Sequence, residues 1–444
     1  MFFRQILHRD LGCASYVVAD GGEAIVVDPK WEVEDYLALA EEQGFGIRHI
    51  LETHNHADHV SGHGRLRAAT GAAIHVSADA GVAYEHEPLR DGDAVRVGNA
   101  RVVALATPGH RPEHLAYLVE DAGRSDAPWL VLTGDSLFVG DTARPDLAVE
   151  AREGAEDLFQ SLGRLLELAD GVEVFPGHVA GSLCGVGMSS KASSTIGFER
   201  RFNPALALGS VQEFVSETAH VATPRPPTME RVVAINRGPF VGRPAPLEPL
   251  AEPGEATVLD VRPARGFAAG HVPGAVNVPV SGSSFGTRAG FVLPPDGSVA
   301  IHAGDASEAE EAARRLRAVG FLELDGYLAE PPVTATLDPV SLDELEEMLA
   351  EEAVELIDVR EPSERDSGFI PGSRNIPYRA VRAFAEELGG GPPVVTICET
   401  GTRAGIAASV LAAAGVEARP VLDGGVPNWR AAGKQTTEFR RCGA

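Results

Sequence analysis

Hydrophobic residues come in short runs along the first 205 or so positions, each run closed by turn residues. The segments "EAIVVDP" (23–29), "IRHILETH" (47–54), "AAIHVS" (72–77), "ARVVALATPGH" (100–110), "HLAYLVE" (114–120), "WLVLTGD" (129–135) and "VEVFPGH" (172–178) read as buried strands. Between them, "VEDYLALAEEQG" and "AEDLFQSLGRLLELADG" space their leucines along one helical face and end at glycine, where a helix stops readily. Strands alternating with such helices predict a sheet-rich, layered α/β structure. Over 206–250 the pattern lapses. The stretch "ATPRPPTMERVVAINRGPFVGRPAPLEP" is dense in proline and glycine and reads as a boundary and linker, with "TMERVVAINR" a candidate helix packing on the first domain.

Beyond 250 the pattern repeats. "VLDVRPARGFAAGHVPGAVNVPV" (258–280) returns as "LIDVREPSERDSGFIPGSRNIPY" (356–378), so that Asp260 and Asp358, Pro273 and Pro371, and Asn277 and Asn375 stand 98 positions apart. A match of that length at constant offset indicates two copies of one domain. Each copy continues into an apolar strand, a loop and a helix: "SVAIHAGDASEAEEAARRLRAVGF" in the first, "PVVTICETGTRAGIAASVLAAAGV" in the second. Aligning Gly320 with Gly415 sets Ala303 opposite Cys398. The 444 residues exceed one ordinary core, and the expected domains are 1–240, 241–333 and 334–444.

Composition narrows the class of function. A net charge of −26 gives no basic face for nucleic acid and agrees with a small-molecule partner. Four cysteines (13, 184, 398 and 442) are far too few for a secreted disulfide scaffold. Arg4, His8, Arg9 and Asp10 interrupt any signal-peptide core, and no apolar run approaches a membrane span. The expectation is a cytoplasmic protein with neither nucleic acid nor membrane as partner.

Against that background "THNHADHVSG" (53–62) stands out. His54, His56, Asp58 and His59 crowd into six positions just where a strand ends. His110, Asp135 and His178 close three other strands. Strand ends of such sheets converge on one edge, and neutral imidazole with carboxylate suits zinc, iron or manganese.

In their order, "THNHADH", "PGH", "TGD" and "PGH" resemble the metallo-β-lactamase superfamily, over roughly residues 1–240. The resemblance implies an αββα sandwich with the metal at one edge. "TGDSLFVGDTARPDL", "FPGHVAGSLCG", "SSTIGFERRFNP" and "LGCASYVV" look like its persulfide dioxygenase branch. That branch implies one Fe(II) per chain on His54, His110 and Asp135, with His56, Asp58, His59 and His178 around it and Arg144 and Asp146 near the substrate. The alternative uses all seven residues for two Zn(II) ions, Asp135 bridging, in a glyoxalase II-like thioester hydrolase. Cys184, six positions after His178, reads either as a sulfur-binding residue at this edge or as a buried thiol. Cys13 reads as core.

A second site appears in "VVTICETGTRAGIAAS". A buried strand delivers Cys398 into a loop, Glu399, Thr400, Gly401, Thr402 and Arg403, that opens a helix. Backbone N–H groups there form an anion-binding nest, which also favours a thiolate, and Arg403 adds fork-shaped donors. The loop, with "DVR" and the paired "G-x-(I/V)-P-G-x-x-N-(I/V)-P" elements, resembles a rhodanese sulfurtransferase over about 250–330 and 335–440. A cysteine phosphatase is the minor alternative. In the first copy the loop is "AGDASE", without cysteine or arginine, which predicts a noncatalytic scaffold or docking copy. Joined, the two resemblances imply two parallel-sheet rhodanese domains behind a sandwich. They further imply oxidation of a low-molecular-weight persulfide by O2, with sulfite or thiosulfate as sulfur partner of Cys398 and a homo-oligomer as one assembly. A regulatory sulfur-binding protein is the reading from another class.

Overall fold

The structure, a computed structural model, describes residues 1–8, 10–179, 188–219 and 224–438. It divides into two compact units, Met1–Pro244 with Arg317–Gly320, and the remainder from Ala245 on.

The first unit holds two six-stranded sheets. One runs in chain order: β1 (Phe2–His8), β2 (Cys13–Asp20), β3 (Glu23–Val27), β4 (Gly46–Leu51), β5 (Ala73–Ser77) and β6 (Glu87–Leu89). The chain continues through β7 (Ala94–Val97), β8 (Ala100–Ala106), β9 (Leu115–Asp121), β10 (Leu130–Gly134), the hairpin β11 (Leu137–Phe138) and β12 (Asp141–Thr142), β13 (Glu173–Pro176) and β14 (Ser194–Thr195). The second sheet has the order β14-β13-β10-β9-β8-β7. Period-two patterning explains the layers. Along β2, Tyr16 and Val18 face a core shared with Val102, Tyr117 and Leu132 of the other sheet, while Val17 and Ala19 face helices. Helices Glu34–Gln43 and His63–Thr70 cover the first sheet through Tyr36, Leu39 and Leu66. Ala151–Leu165 covers the second through Leu158 and Leu162. The result is the expected αββα sandwich.

The long β1–β2 pair was not among the expected strands, because mixed polar residues in "FFRQILH" hide its apolar face. Residues 206–250 are not a bare linker. Val211–Thr218 and Met229–Arg237 are helices, and Phe214, Met229 and Val232 are buried. Proline density marked the turns around these helices and masked their apolar positions.

The second unit carries two parallel sheets. β15 (Pro249–Leu250), β16 (Thr257–Asp260), β17 (Val276–Asn277), β18 (Val299–His302) and β19 (Leu324–Leu328) stand in the order β15-β19-β18-β16-β17. β20 (Glu355–Asp358), β21 (Arg374–Asn375), β22 (Val394–Ile397) and β23 (Ala418–Pro420) stand in the order β21-β20-β22-β23. The repeat is a repeat of hydrogen bonds. Asn277 donates its amide to the carbonyls of Asp260 and Arg262, and Asn375 does the same to Asp358 and Arg360. Among the described residues, no helix is long and apolar enough to cross a membrane.

Candidate metal centre and sulfur-carrying loop

Four strand ends of the first unit supply the metal edge. His54 follows β4, His110 lies between β8 and β9, Asp135 follows β10 and His178 follows β13. Ligand atoms of His54, His110 and Asp135 lie within 4.8 Å of one another, all three side chains buried. Their surroundings set each donor. Thr53 donates its N–H and its hydroxyl to Asp28, at 2.7 and 2.9 Å, so its oxygen accepts from His54 Nδ1 at 2.9 Å. His110 Nδ1 donates to the carbonyl of Arg144 at 3.1 Å. Both imidazoles are thereby left with a lone pair on Nε2. Burial and neighbouring imidazoles push the His54 pKa well below the ordinary value, and burial also lowers that of His110, so both rings are neutral. Asp135 is placed by its backbone: its N–H donates to His114 Nε2 at 2.9 Å, and His114 Nδ1 donates to Thr107. Gly177 gives the carboxylate room, since a Cβ there would lie 2.6 Å from Asp135 Oδ1.

His54 Nε2 and both oxygens of Asp135 are buried without a hydrogen bond. Buried polar atoms are normally satisfied, so three that are left over and converge fit the donor set of a cation. Two neutral imidazoles and a carboxylate fit a first-row divalent ion.

The other four candidates separate into two groups. His56 Nε2 lies 3.2 Å from Asp28 and 3.1 Å from Glu52; burial opposes its charge, but the two carboxylates raise its pKa well above the ordinary value. Glu52 also holds Ser61 and His63. Asn236 donates to the carbonyls of His56 and His59 and accepts from the Ser61 N–H, so the helix Met229–Arg237 pins this loop. Asp58 is 3.2 Å from His59 and 3.6 Å from His178, and His178 is 3.2 Å from Asp135. Cys13, read from sequence as core, is buried but donates its thiol to Asp58 at 3.0 Å. Its placement beside the candidate ligands arises from an isolated bridge between Cys13 and His178, which no local pattern announces. Arg144 grips Asp146 through two bonds of 2.6 and 2.7 Å. Cys184 lies outside the described residues.

In the second unit, β22 ends at Cys398, whose buried Sγ accepts from the Gly401 N–H at 3.1 Å. Gly401 has φ of +96°, and a Cβ there would lie 2.2 Å from the Leu422 carbonyl, so glycine is required. The helix Thr402–Ala413 follows. Glu399 and Thr400 are exposed and Thr402 half-buried. Both Nη groups of Arg403 are bound by Glu364 at 2.6 Å, a pairing sequence reasoning did not foresee. In the first copy, Glu308 accepts from the Gly304 N–H and Asp305 caps the helix at the Glu308 N–H, so its own acids fill the anion position. Ser409 of the second copy's helix accepts from the Asn277 N–H of the first.

Family models match at residues 8–178, the metallo-beta-lactamase superfamily, and at 244–327 and 341–432, the rhodanese-like domain. The mitochondrial persulfide dioxygenase ETHE1 of Homo sapiens is 28% identical over 227 residues, 50% of this chain and 82% of that protein. A hydroxyacylglutathione hydrolase of Cereibacter sphaeroides is 38% identical over 165 residues, 36% of this chain and 59% of that protein. A solved metallo-beta-lactamase from Staphylococcus aureus superposes with a TM-score of 0.69 at 29% identity, covering 75% of this chain and 99% of its own.

Proposed function

The chain belongs to the metallo-β-lactamase superfamily over its first unit and carries rhodanese-like domains in its second, and from that premise we propose that it oxidises a low-molecular-weight persulfide with O2 at a single Fe(II) and transfers sulfur at Cys398. Its likeness to persulfide dioxygenases and rhodaneses makes it an enzyme of sulfur metabolism. The first reaction is RSSH + O2 + H2O giving RSH, sulfite and two protons; the sulfane sulfur loses the four electrons that O2 gains. The observation that carries this reading is the convergence of His54 Nε2, His110 and Asp135 as unsatisfied or lone-pair donors on one side of a site. Fe(II) held by His54, His110 and Asp135 would supply the redox chemistry that activates O2 toward a reduced sulfur.

The chain's residues prepare that face. Thr53 and the Arg144 carbonyl fix the two tautomers, His114 holds the Asp135 backbone, and His178 lies against the Asp135 carboxylate. At the second site the Cys398 thiolate, supported by the Gly401 N–H, attacks the outer sulfur of a persulfide. That S–S bond breaks, the parent thiol leaves with a proton, and Cys398 carries the sulfur. Sulfite then attacks the carried sulfur, releasing thiosulfate and restoring the thiolate; thiosulfate as donor runs this last step backwards. The noncatalytic first copy supports the helix behind Cys398.

The likeness to the hydrolase and the cluster of His56, Asp58 and His59 within 4.8 Å favour a second reading, a dinuclear zinc thioesterase. Anaerobic metal analysis of the purified chain, then oxygen uptake with a persulfide, separates the two. The dioxygenase reading expects one iron, sulfite from the wild type, and thiosulfate that disappears in Cys398→Ser while oxygen uptake persists. Two zincs with thioester cleavage and no oxygen uptake would overturn it.

A further inference from the structure

A cavity of about 250 Å³ opens beside the metal-binding loop, and no step above uses it. Ala57, between His56 and Asp58, and Arg111, next to His110, put it against both ligand-bearing segments. Leu147, Met229 and Val233 give it apolar wall, and Arg225 a second guanidinium.

Arg111 is the unusual member. It is only 5% exposed, a costly burial for a charge. Its Nε donates to Glu113 Oε1 at 2.8 Å, and that oxygen is itself held by the Asn55 side-chain amide. The plane of the guanidinium is therefore fixed. Its two Nη groups donate to no acceptor among the described residues. A buried, rigid fork with both outer prongs free, lining a cavity, is the geometry that binds a carboxylate through two parallel bonds. Arg225 is tied to Asp146 and contributes field rather than a free fork. Glu230 shares the lining and limits the net positive charge, which disfavours a polyphosphate. The volume lies below the roughly 300–1,000 Å³ of cavities that take drug-sized ligands, which suits a small thiol.

We propose that Arg111 sets the specificity of the first site for small persulfides whose carrier bears a carboxylate. This rests on the persulfide reading of the metal site. Arg111 binds the carboxylate with Nη1 and Nη2, the carbon chain lies on the apolar wall, and the persulfide end is directed to the face formed by His54, His110 and Asp135.

The test compares two persulfides that differ by the charged group, those of 3-mercaptopropionate and of 2-mercaptoethanol, in oxygen uptake by the iron-loaded full chain. The wild type is expected to favour the carboxylate by about tenfold or more in kcat/KM. Arg111→Gln is expected to reduce that preference by about tenfold, through KM, and Arg111→Lys to recover part of it, since the charge remains but the fork is lost. Binding of the thioethers 3-(methylthio)propionate and 2-(methylthio)ethanol, measured by calorimetry, reads the same preference without turnover. Robust uptake with no carboxylate preference in the wild type, or a preference that survives in Arg111→Gln, overturns the proposal. If no persulfide is oxidised but thioether binding keeps its Arg111-dependent preference, the dioxygenase reading fails and the carboxylate site stands. Should Arg111→Gln not fold, the wild-type ratios and a fall of at least about threefold in Arg111→Lys decide.

Discussion

Thr53 shows how much of this site depends on residues that hold no metal. It gives both polar hydrogens to Asp28 and takes the proton of His54 Nδ1, which turns the His54 lone pair toward Asp135. Thr53→Val keeps the backbone bond to Asp28 and loses the one to His54. Supporting partners of this kind typically matter by 10–100-fold, so metal affinity, read by chelator competition, should fall by about that much; an unchanged affinity would show that Thr53 does not orient His54. His54, His110 and Asp135 were legible in the sequence because each is a ligand type at a strand end. Asp28, Glu52, His63 and His114 were not, because their roles depend on contacts with groups on other strands. Cys13 was legible as core and is buried, but its partner Asp58, 45 positions away, was not legible.

At the level of elements, β4 and β5 are joined across their pair by His49 and His75, whose rings meet at 3.0 Å. Burial, then the charge of His49, pushes His75 down to about 4. The unfolded chain, with an ordinary histidine value near 6.5, therefore binds more protons below that pH. Stability from this pair is full above about pH 6.5 and is lost as pH falls toward 4, by about 1–3 kcal/mol. Urea midpoints measured across that window should drop with acid, and His75→Asn should flatten the slope. The loop after β22 yields a second prediction. Gly401→Ala forces a β-carbon into the Leu422 carbonyl at positive φ, so it should cost about 1–3 kcal/mol and reduce thiosulfate formation without reducing oxygen uptake. Elements with clean periodicity were legible, as were both copies of the repeat. The helix Met229–Arg237 was only a candidate, since its decisive contact is the side chain of Asn236 against the ligand loop.

For the whole molecule, two compact units with separate chemistry predict separate responses. A metal that binds the folded first unit at 100 times its dissociation constant adds about 2.7 kcal/mol to that unit's stability. Scanning calorimetry under anaerobic conditions should therefore show one transition that rises with Fe(II) and one that does not. A uniform rise of all transitions would mean that the units do not unfold independently. The conserved geometry of the two rhodanese-like copies has a related lesson. Asp260 with Arg262 and Asp358 with Arg360 form the same ion pairs, so the "DVR" element that advertised a sulfurtransferase is structural in both copies, and the thiol is present in only one of the two loops.

The chain by itself determined the layered α/β class, the doubled domain, the metal edge and the presence of a thiol in only one of the two loops. Those features are local: a period of two along a strand, a constant offset, a run of ligand types. The tertiary structure alone decided which nitrogen of His54 and of His110 carries the lone pair, that His56 lies between two carboxylates, that Arg403 is committed to Glu364, and that Arg111 lines a cavity beside the ligand loop. Protonation and hydrogen bonding act over a few ångströms in space, and the groups that control them here come from strands far apart in the chain.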